Sequence, residues 1–325
     1  MRIRKMLLLL ATLLAPGLIT PGATAVAEDY PTHPVTLIVP FPVGGGVDAM
    51  GRLVAHHLTQ AFGQQVIVDN KGGAAGVVGM RVAMHAHPDG YTLVMTTSGS
   101  TSISPLLYAD PGYDSLKDFV PIGLIASSPI VLMAHPSFSA HSVKEVIALA
   151  QKGGVTAGTP PPGTENYMAA ELFKSMTGAD ITIVSYKGTG PLTNDLLGAH
   201  VGFGFNTLPP AMGNLQAGTL RAIAVAGSAR SGLLPDVPTA TESGLPGFEA
   251  AVRYGLMAPA GTPRPIVDRI NRELRSMVST EETRNGIIAQ GSDPLTSSPE
   301  EYAADIARET AKWSALIKKL GLKLE

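Results

Sequence analysis

The chain's sharpest chemical signal is Pro40-Phe41-Pro42-Val43-Gly44-Gly45-Gly46-Val47-Asp48. Consecutive glycines leave backbone N–H groups unhindered, and such a loop ahead of a helix suits a small anion, a carboxylate above all. A tight turn explains the same three glycines equally well. Gly44-x-Gly46-x-x-Ala49 also fits the dinucleotide fingerprint, with Asp69 about 20 residues on, where a ribose-binding acid would stand. Asp48 weakens that reading, because it adds negative charge at the helix N-terminus that a pyrophosphate needs. Its better role is the N-cap of the helix, fixing the loop through a bond to a backbone N–H one turn in.

Four more loops follow apolar, strand-like runs: Asn70 to Gly76, Thr97 to Thr101, Gly158 to Glu165, and Tyr186 to Pro191. Each offers small residues, hydroxyls and N–H donors before a helix. Each is weak alone, since strand-to-helix turns need Gly and Ser for geometry. Together they favour a polar ligand held between loops. Lys71 and Lys187 flank this crevice and are expected to be solvated.

Residues that could do covalent chemistry are poorly arranged for it. The chain has no Cys, which removes a thiol nucleophile, a zinc ribbon and a disulfide scaffold. Its 8 His lie outside any HExxH spacing, and no serine elbow is present. His56 and His57 are adjacent on a predicted helix and point about 100° apart, so they do not chelate one ion readily. Ser98 with a histidine is the best hydrolytic set, yet no base and orienter stand at a recognisable spacing.

The elements that must position these loops read as α/β. Val35 to Val39 predicts a strand and Asp48 to Phe62 a helix, with Met50, Leu53, Val54, His57, Leu58 and Ala61 at helical spacing. Strands at 65–68 and 92–95 flank a short helix at 79–85. A second series begins with two strand-like stretches within Pro121 to Ala134 and repeats the alternation as far as Val225, which predicts a second parallel sheet. Thr262-Pro263 predicts a helix start, with Thr262 as the cap, and Ser298-Pro299-Glu300-Glu301 predicts another. The last helix carries Tyr302, Ile306, Trp313, Leu316 and Leu320 as a core stripe. Ligands of such sheets sit outside the carboxyl ends of the strands.

With 325 residues, about two domains are expected, and 24 basic against 26 acidic side chains exclude a basic nucleic-acid module. Arg2, Arg4 and Lys5, the apolar run from Met6 to Leu14 and Ala25-Val26-Ala27 read as a signal peptide cleaved after Ala27. Losing those three basic residues takes the net charge from −2 to −5. Selection of an acid must then come from local dipoles rather than a basic surface.

In order along nearly the whole mature chain, PFPVGGGVD, VDNKGGAAGVVG, YKGTGPLTNDLLGAHV, LQAGTLRAIAV and GLMAPAGTP resemble the signature segments of the Bug family. These are substrate-binding receptors of tripartite tricarboxylate transporters. The resemblance implies an α/β periplasmic-binding-protein fold of type II, a Venus flytrap. One domain would comprise 28–127 and 250–325, the other 128–249. It implies a periplasmic monomer without enzymatic activity, cofactor, metal or nucleic-acid partner, which closes on a small organic acid and delivers it to integral membrane transporter subunits. A ligand-sensing role beside a signalling protein is the alternative.

Carried onto this sequence, the resemblance gives the ligand's carboxylate to Phe41, Gly45, Gly46, Val47 and Asp48, with hydroxyls from Ser98 and Thr101. The opposing domain offers Thr159, Gly163, Thr164, Glu165, Tyr186, Gly188 and Asn206. Val43, Val47, the prolines at 160–162 and Gly202, which stands where many members carry Asp at a strand end, depart from the family pattern. Those departures point to a ligand with an apolar body.

Overall fold

The structure is a computed structural model that describes residues 30–227 and 229–324. The expected signal peptide lies outside them. The chain runs β1 (Val35–Val39), α1 (Gly46–Phe62), β2 (Val66–Asn70), α2 (Val77–Met84), β3 (Thr92–Thr97), α3 (Ser104–Leu107) and β4 (Phe119–Ala134). It continues with α4 (Val143–Ala150), β5 (Val155–Thr159), α5 (Glu165–Thr177), β6 (Ile181–Ser185), α6 (Thr189–Leu197), β7 (Phe203–Thr207), α7 (Met212–Gln216) and β8 (Arg221–Val225). The last part holds β9 (Ala251–Pro259), α8 (Arg264–Ser279), α9 (Glu281–Ala289), β10 (Asp293–Pro294) and α10 (Pro299–Leu320).

The α/β alternation holds, but the expected two parallel sheets are one mixed sheet of 10 strands, ordered β2-β1-β3-β9-β4-β7-β5-β6, with β8 and β10 also on β4. Two similar units compose it. In the first half β1 lies parallel to β2 and β3, and β9 runs antiparallel beside β3. In the second half β5 lies parallel to β6 and β7, and β4 runs antiparallel beside β7. The units join because β4 is a single strand of 16 residues rather than two stretches. It pairs with β9 from Phe119 to Pro129 and with β7 and β8 beyond that point. Pro121, Gly123 and Pro129 resemble breaks in the sequence, yet the pairing absorbs the first two with register shifts between Pro121 and Gly123 and between Leu124 and Ala126.

Helices cover the sheet through their apolar stripes. Met50, Val54 and Leu58 of α1 are buried at a spacing of one turn, and Gly63, left-handed at φ 64°, ends that helix. A rosette of Phe173, Phe203, Phe205 and Phe248 fills the second half, with neighbouring ring centroids 5.5–6.3 Å apart. The helix start predicted at Ser298 is present, and there Ser298 and Glu301 form a capping box. Thr262, by contrast, does not cap α8. Its hydroxyl turns back to the Pro259 carbonyl at 2.8 Å and Pro263 takes the N-cap position. The stripe on α10 is less apolar than it reads, since Asp305 and Glu309 are buried on the same face as Tyr302, Ile306 and Trp313. Trp313 explains part of this, because its indole N–H donates to Glu309 at 3.0 Å.

Candidate functional site

Both parallel trios aim their carboxyl ends at the junction made by β4 and β9. The loops there are 40–45 after β1, 98–103 after β3, 160–164 after β5, 186–188 after β6 and 208–211 after β7. Three close approaches bring loops from the two halves together. A methyl group on Gly46 would stand 3.1 Å from the Tyr254 hydroxyl and 3.7 Å from Pro209 of the second half. One on Gly163 would stand 2.9 Å from Ala75 and from the Ser104 hydroxyl of the first half. The third joins Glu165, at the first position of α5, to the Ser98–Gly99 turn: Ser98 Oγ donates to Glu165 Oε1 at 2.6 Å, and the Gly99 amide donates to the same oxygen.

The first loop is shaped from within. Asp48 is not the N-cap: Gly45 occupies that position in extended conformation with no side-chain cap, and Asp48 lies three residues into α1. From there its buried carboxylate reaches back to the Gly44 amide at 3.0 Å, to Arg52 Nε at 3.1 Å and to Asn70 Nδ2 at 2.9 Å. Burial opposes the charge, but the bonds from Gly44, Arg52 and Asn70 outweigh it and hold the carboxyl below its ordinary range. Asn70 also donates to the Phe41 carbonyl at 3.1 Å, tying the start of the same loop. Asp48 is therefore a scaffold for the loop, and both its oxygens already accept hydrogen bonds from within the first half. The first amides of α1, at Gly46 and Val47, have no intrahelical acceptor and no side-chain cap. They carry the positive end of a 17-residue helix.

Several other expected site residues turn inward. The ring of Phe41 lies against Gly76. Thr101 Oγ1 donates to the Thr97 carbonyl at 3.2 Å, within a buried π-helical turn over Gly99–Ile103. Thr159 donates to the Pro160 carbonyl at 2.9 Å, and Thr164 caps α5. Tyr186 donates to Asp195 at 2.9 Å, and burial, together with that bond and the Asp195 charge, pushes its hydroxyl up to about 12. Asn206 is fixed by Thr193 Oγ1 at 2.9 Å and the Thr189 carbonyl at 3.4 Å. Gly188 precedes α6 as a second N-cap without a side-chain bond. Gly202 stands before β7 at its amino end, away from these loops. Its departure from the family pattern does not reach the crevice.

Sequence reasoning missed Tyr254 and Arg253, both on β9 where it crosses the junction. Tyr254 is buried 2% exposed, with its hydroxyl at the mouth of α1. Arg253 meets Glu309 at 2.8 Å and Asp305 at 3.7 Å. The available signal was local: Arg253-Tyr254 is a polar pair inside an otherwise apolar strand. Lys71 pairs with Asp69 at 3.1 Å, half exposed, and Lys187 is exposed.

The chemistry such a junction offers is anion binding by backbone amides. Ser98 Oγ meets Glu165, the Ala251 carbonyl and the Arg253 amide, none of them an imidazole. Among the described residues no three His, Asp or Glu side chains gather as a metal site. No described helix is long and apolar enough to cross a membrane.

Two α/β units joined by crossing strands, with facing loops at the carboxyl ends, place the chain among periplasmic binding proteins in fold. The solved structure of the periplasmic binding protein BugD superposes with a TM-score of 0.84 at 31% identity, covering 91% of this chain and 100% of that one. Residues 50–322 match the model of the tripartite tricarboxylate transporter family receptor, and the chain belongs to that family. It is 34% identical over 307 residues to protein BugT of Bordetella pertussis, covering 94% of each chain. The R. palustris protein Rpa4515, solved with adipate, aligns with a TM-score of 0.86 at 33% identity, over 91% of this chain and 99% of that one.

Proposed function

We propose that this chain is an exported receptor that captures a small organic acid between two hinged domains and delivers it to integral membrane transporter subunits. The domains are 28–127 with 250–325, and 128–249, with β4 and β9 as the connection. The observation that carries the reading is the uncapped N-terminus of α1, held by the Asp48 scaffold and facing the second half at Pro209. Backbone amides of Gly45, Gly46 and Val47 would receive one carboxylate, with Tyr254 Oη beside them and the start of α6 at Gly188 opposite. Ser98, Gly163 and Glu165 would form the closing contact, while Phe41, Asp48, Thr101, Thr159, Thr164, Tyr186 and Asn206 set loop shape. The adipate held by Rpa4515 supports a dicarboxylate with an apolar body. The receptor acts in the periplasm as a monomer, after cleavage behind Ala27, and performs no chemistry.

Thermal shift tests this reading. An acid supplied at 100-fold over its Kd adds about 2.7 kcal/mol to the folded state, which raises Tm by several degrees. Aliphatic dicarboxylates of four to about seven carbons are expected to give that shift. A panel in which they leave Tm unchanged while their diamides raise it would contradict carboxylate capture.

A further inference from the structure

Two serine hydroxyls at the junction each face one acceptor in their own half of the molecule and one in the other. Ser98 Oγ lies 2.6 Å from Glu165 Oε1 across the junction and 3.3 Å from the Ala251 carbonyl on its own side. Ser104 Oγ lies 3.2 Å from the Gly163 carbonyl across the junction and 3.3 Å from the Ala75 carbonyl on its own side. A hydroxyl has one proton to donate. Each serine therefore keeps a partner whether the halves meet or part, and a switch of acceptor costs little. On its own side Glu165 is bonded by its own backbone amide, and meeting the first half takes the rest of the carboxyl out of water until the residue is only 2% exposed.

We propose that Ser98, Ser104 and Glu165 form a proton-linked latch, in which the serines exchange acceptors as the domains meet and Glu165 takes up a proton from solvent as it is enclosed. This inference rests on the two-domain reading above.

The titratable groups that act on Glu165 come from two elements, α10 and β9. Glu309 on α10 repels its negative charge, Arg253 on β9 attracts it, and Tyr254 and Tyr302 lie within its field. Arg253 is already engaged by Glu309 and Asp305, so a single guanidinium serves three carboxyl groups. Removal from water opposes the charge on Glu165 most strongly; Ser98, its own backbone amide and the Gly99 amide favour it, and Glu309 adds to the opposition. The outcome is a carboxyl pushed up to about 7 from an ordinary 4.5. A carboxyl raised on closing stabilises the closed form fully below the ordinary value, and that advantage is lost as pH rises through the raised one. The closing constant should therefore fall by about tenfold per pH unit at most between roughly 4.5 and 7, and level off above.

The absence of cysteine makes the test direct. His85→Cys and Lys187→Cys, exposed in the first and second halves, accept spin labels for distance measurement in ligand-free protein. The expected result is a closed population that shrinks from pH 5 to pH 8 and loses this dependence in Glu165→Gln, which stays closed at both. Ser98→Ala removes a bond that favours the charge on Glu165, so it should lower the closed population most at high pH and extend the fall with pH to higher values. A Glu165→Gln protein with the wild-type slope overturns the latch, as does a wild-type distance that is constant with pH although adipate shortens it. A distance that neither pH nor any dicarboxylate moves contradicts the two-domain reading instead. Should Glu165→Gln not fold, carboxyl carbon NMR of the wild type, assigned against Glu165→Asp, decides: a midpoint near 7 supports the latch, and one in the ordinary glutamate range overturns it.

Discussion

Gly163→Ala is expected to fold and to bind its acid far more weakly than the wild type. Gly163 has φ of 95°, where an L side chain is strained, and its methyl would meet Ala75, Ser104 and Tyr108 at 2.9–3.2 Å. Those three neighbours all belong to the first half, so the clash acts where the two halves touch. Overpacking of this kind costs about 1–3 kcal/mol. Applied to the closed form alone, it lowers apparent affinity by about 5–150-fold. Gly154→Ala controls for backbone strain, because Gly154 is also left-handed at 77° and has nothing within 4 Å of the added methyl. Calorimetric titration should show the loss for Gly163→Ala only. Equal affinities in both variants would mean that the closing contact at Gly163 plays no part in binding.

Asp48→Ala should reduce affinity by about tenfold or more, equivalent to about 1.4 kcal/mol, without contacting the ligand. The carboxylate pins the Gly44 amide and Asn70, and through Asn70 the Phe41 carbonyl. Without it the glycine loop loses the bonds that aim its amides. Stability should fall by about 1.5–3 kcal/mol, the usual range for hydrogen bonds to a charged group. Arg52 is 54% exposed and turns to water, which keeps the loss near the lower end. Because the carboxyl titrates below its ordinary range, its contribution is complete above that range and disappears as pH falls through the depressed value. Urea unfolding at pH 7 and at about pH 3 should therefore show the wild-type advantage shrinking in acid. Affinity unchanged by Asp48→Ala would make Asp48 a local structural residue only.

The parts of the fold set by local chemistry were legible in the sequence, and those set by pairing were not. Periodicity located α1 through Met50, Val54 and Leu58, and Ser298 with Glu301 announced α10. Nothing in a run such as Phe119 to Ala134 says that one strand will pair with β9 at one end and with β7 and β8 at the other. That single pairing turns two expected sheets into one. The glycine loop was readable because glycines at a strand end limit what the backbone can do. Its scaffold was not, because Asp48 at a helix start suggests an N-cap, whereas Asn70, 22 residues away, supplies the reason for a different geometry. Glu165 lay in a loop already read as part of the site, but its partner Ser98 is 67 residues distant and only the fold joins them. Asp305 and Glu309 were hidden by the assumption that a stripe containing Tyr302, Ile306 and Trp313 is apolar throughout.

The central claim is that backbone amides at the start of α1 hold a carboxylate between two domains. A crystal structure of the protein with its tightest-binding dicarboxylate tests this most directly. The account predicts one carboxylate hydrogen-bonded to the amides of Gly45, Gly46 and Val47, beside Tyr254, with the second half closed over it at Gly163 and Glu165. A ligand seated elsewhere, or one held there through a neutral group with its carboxylates in solvent, would contradict it.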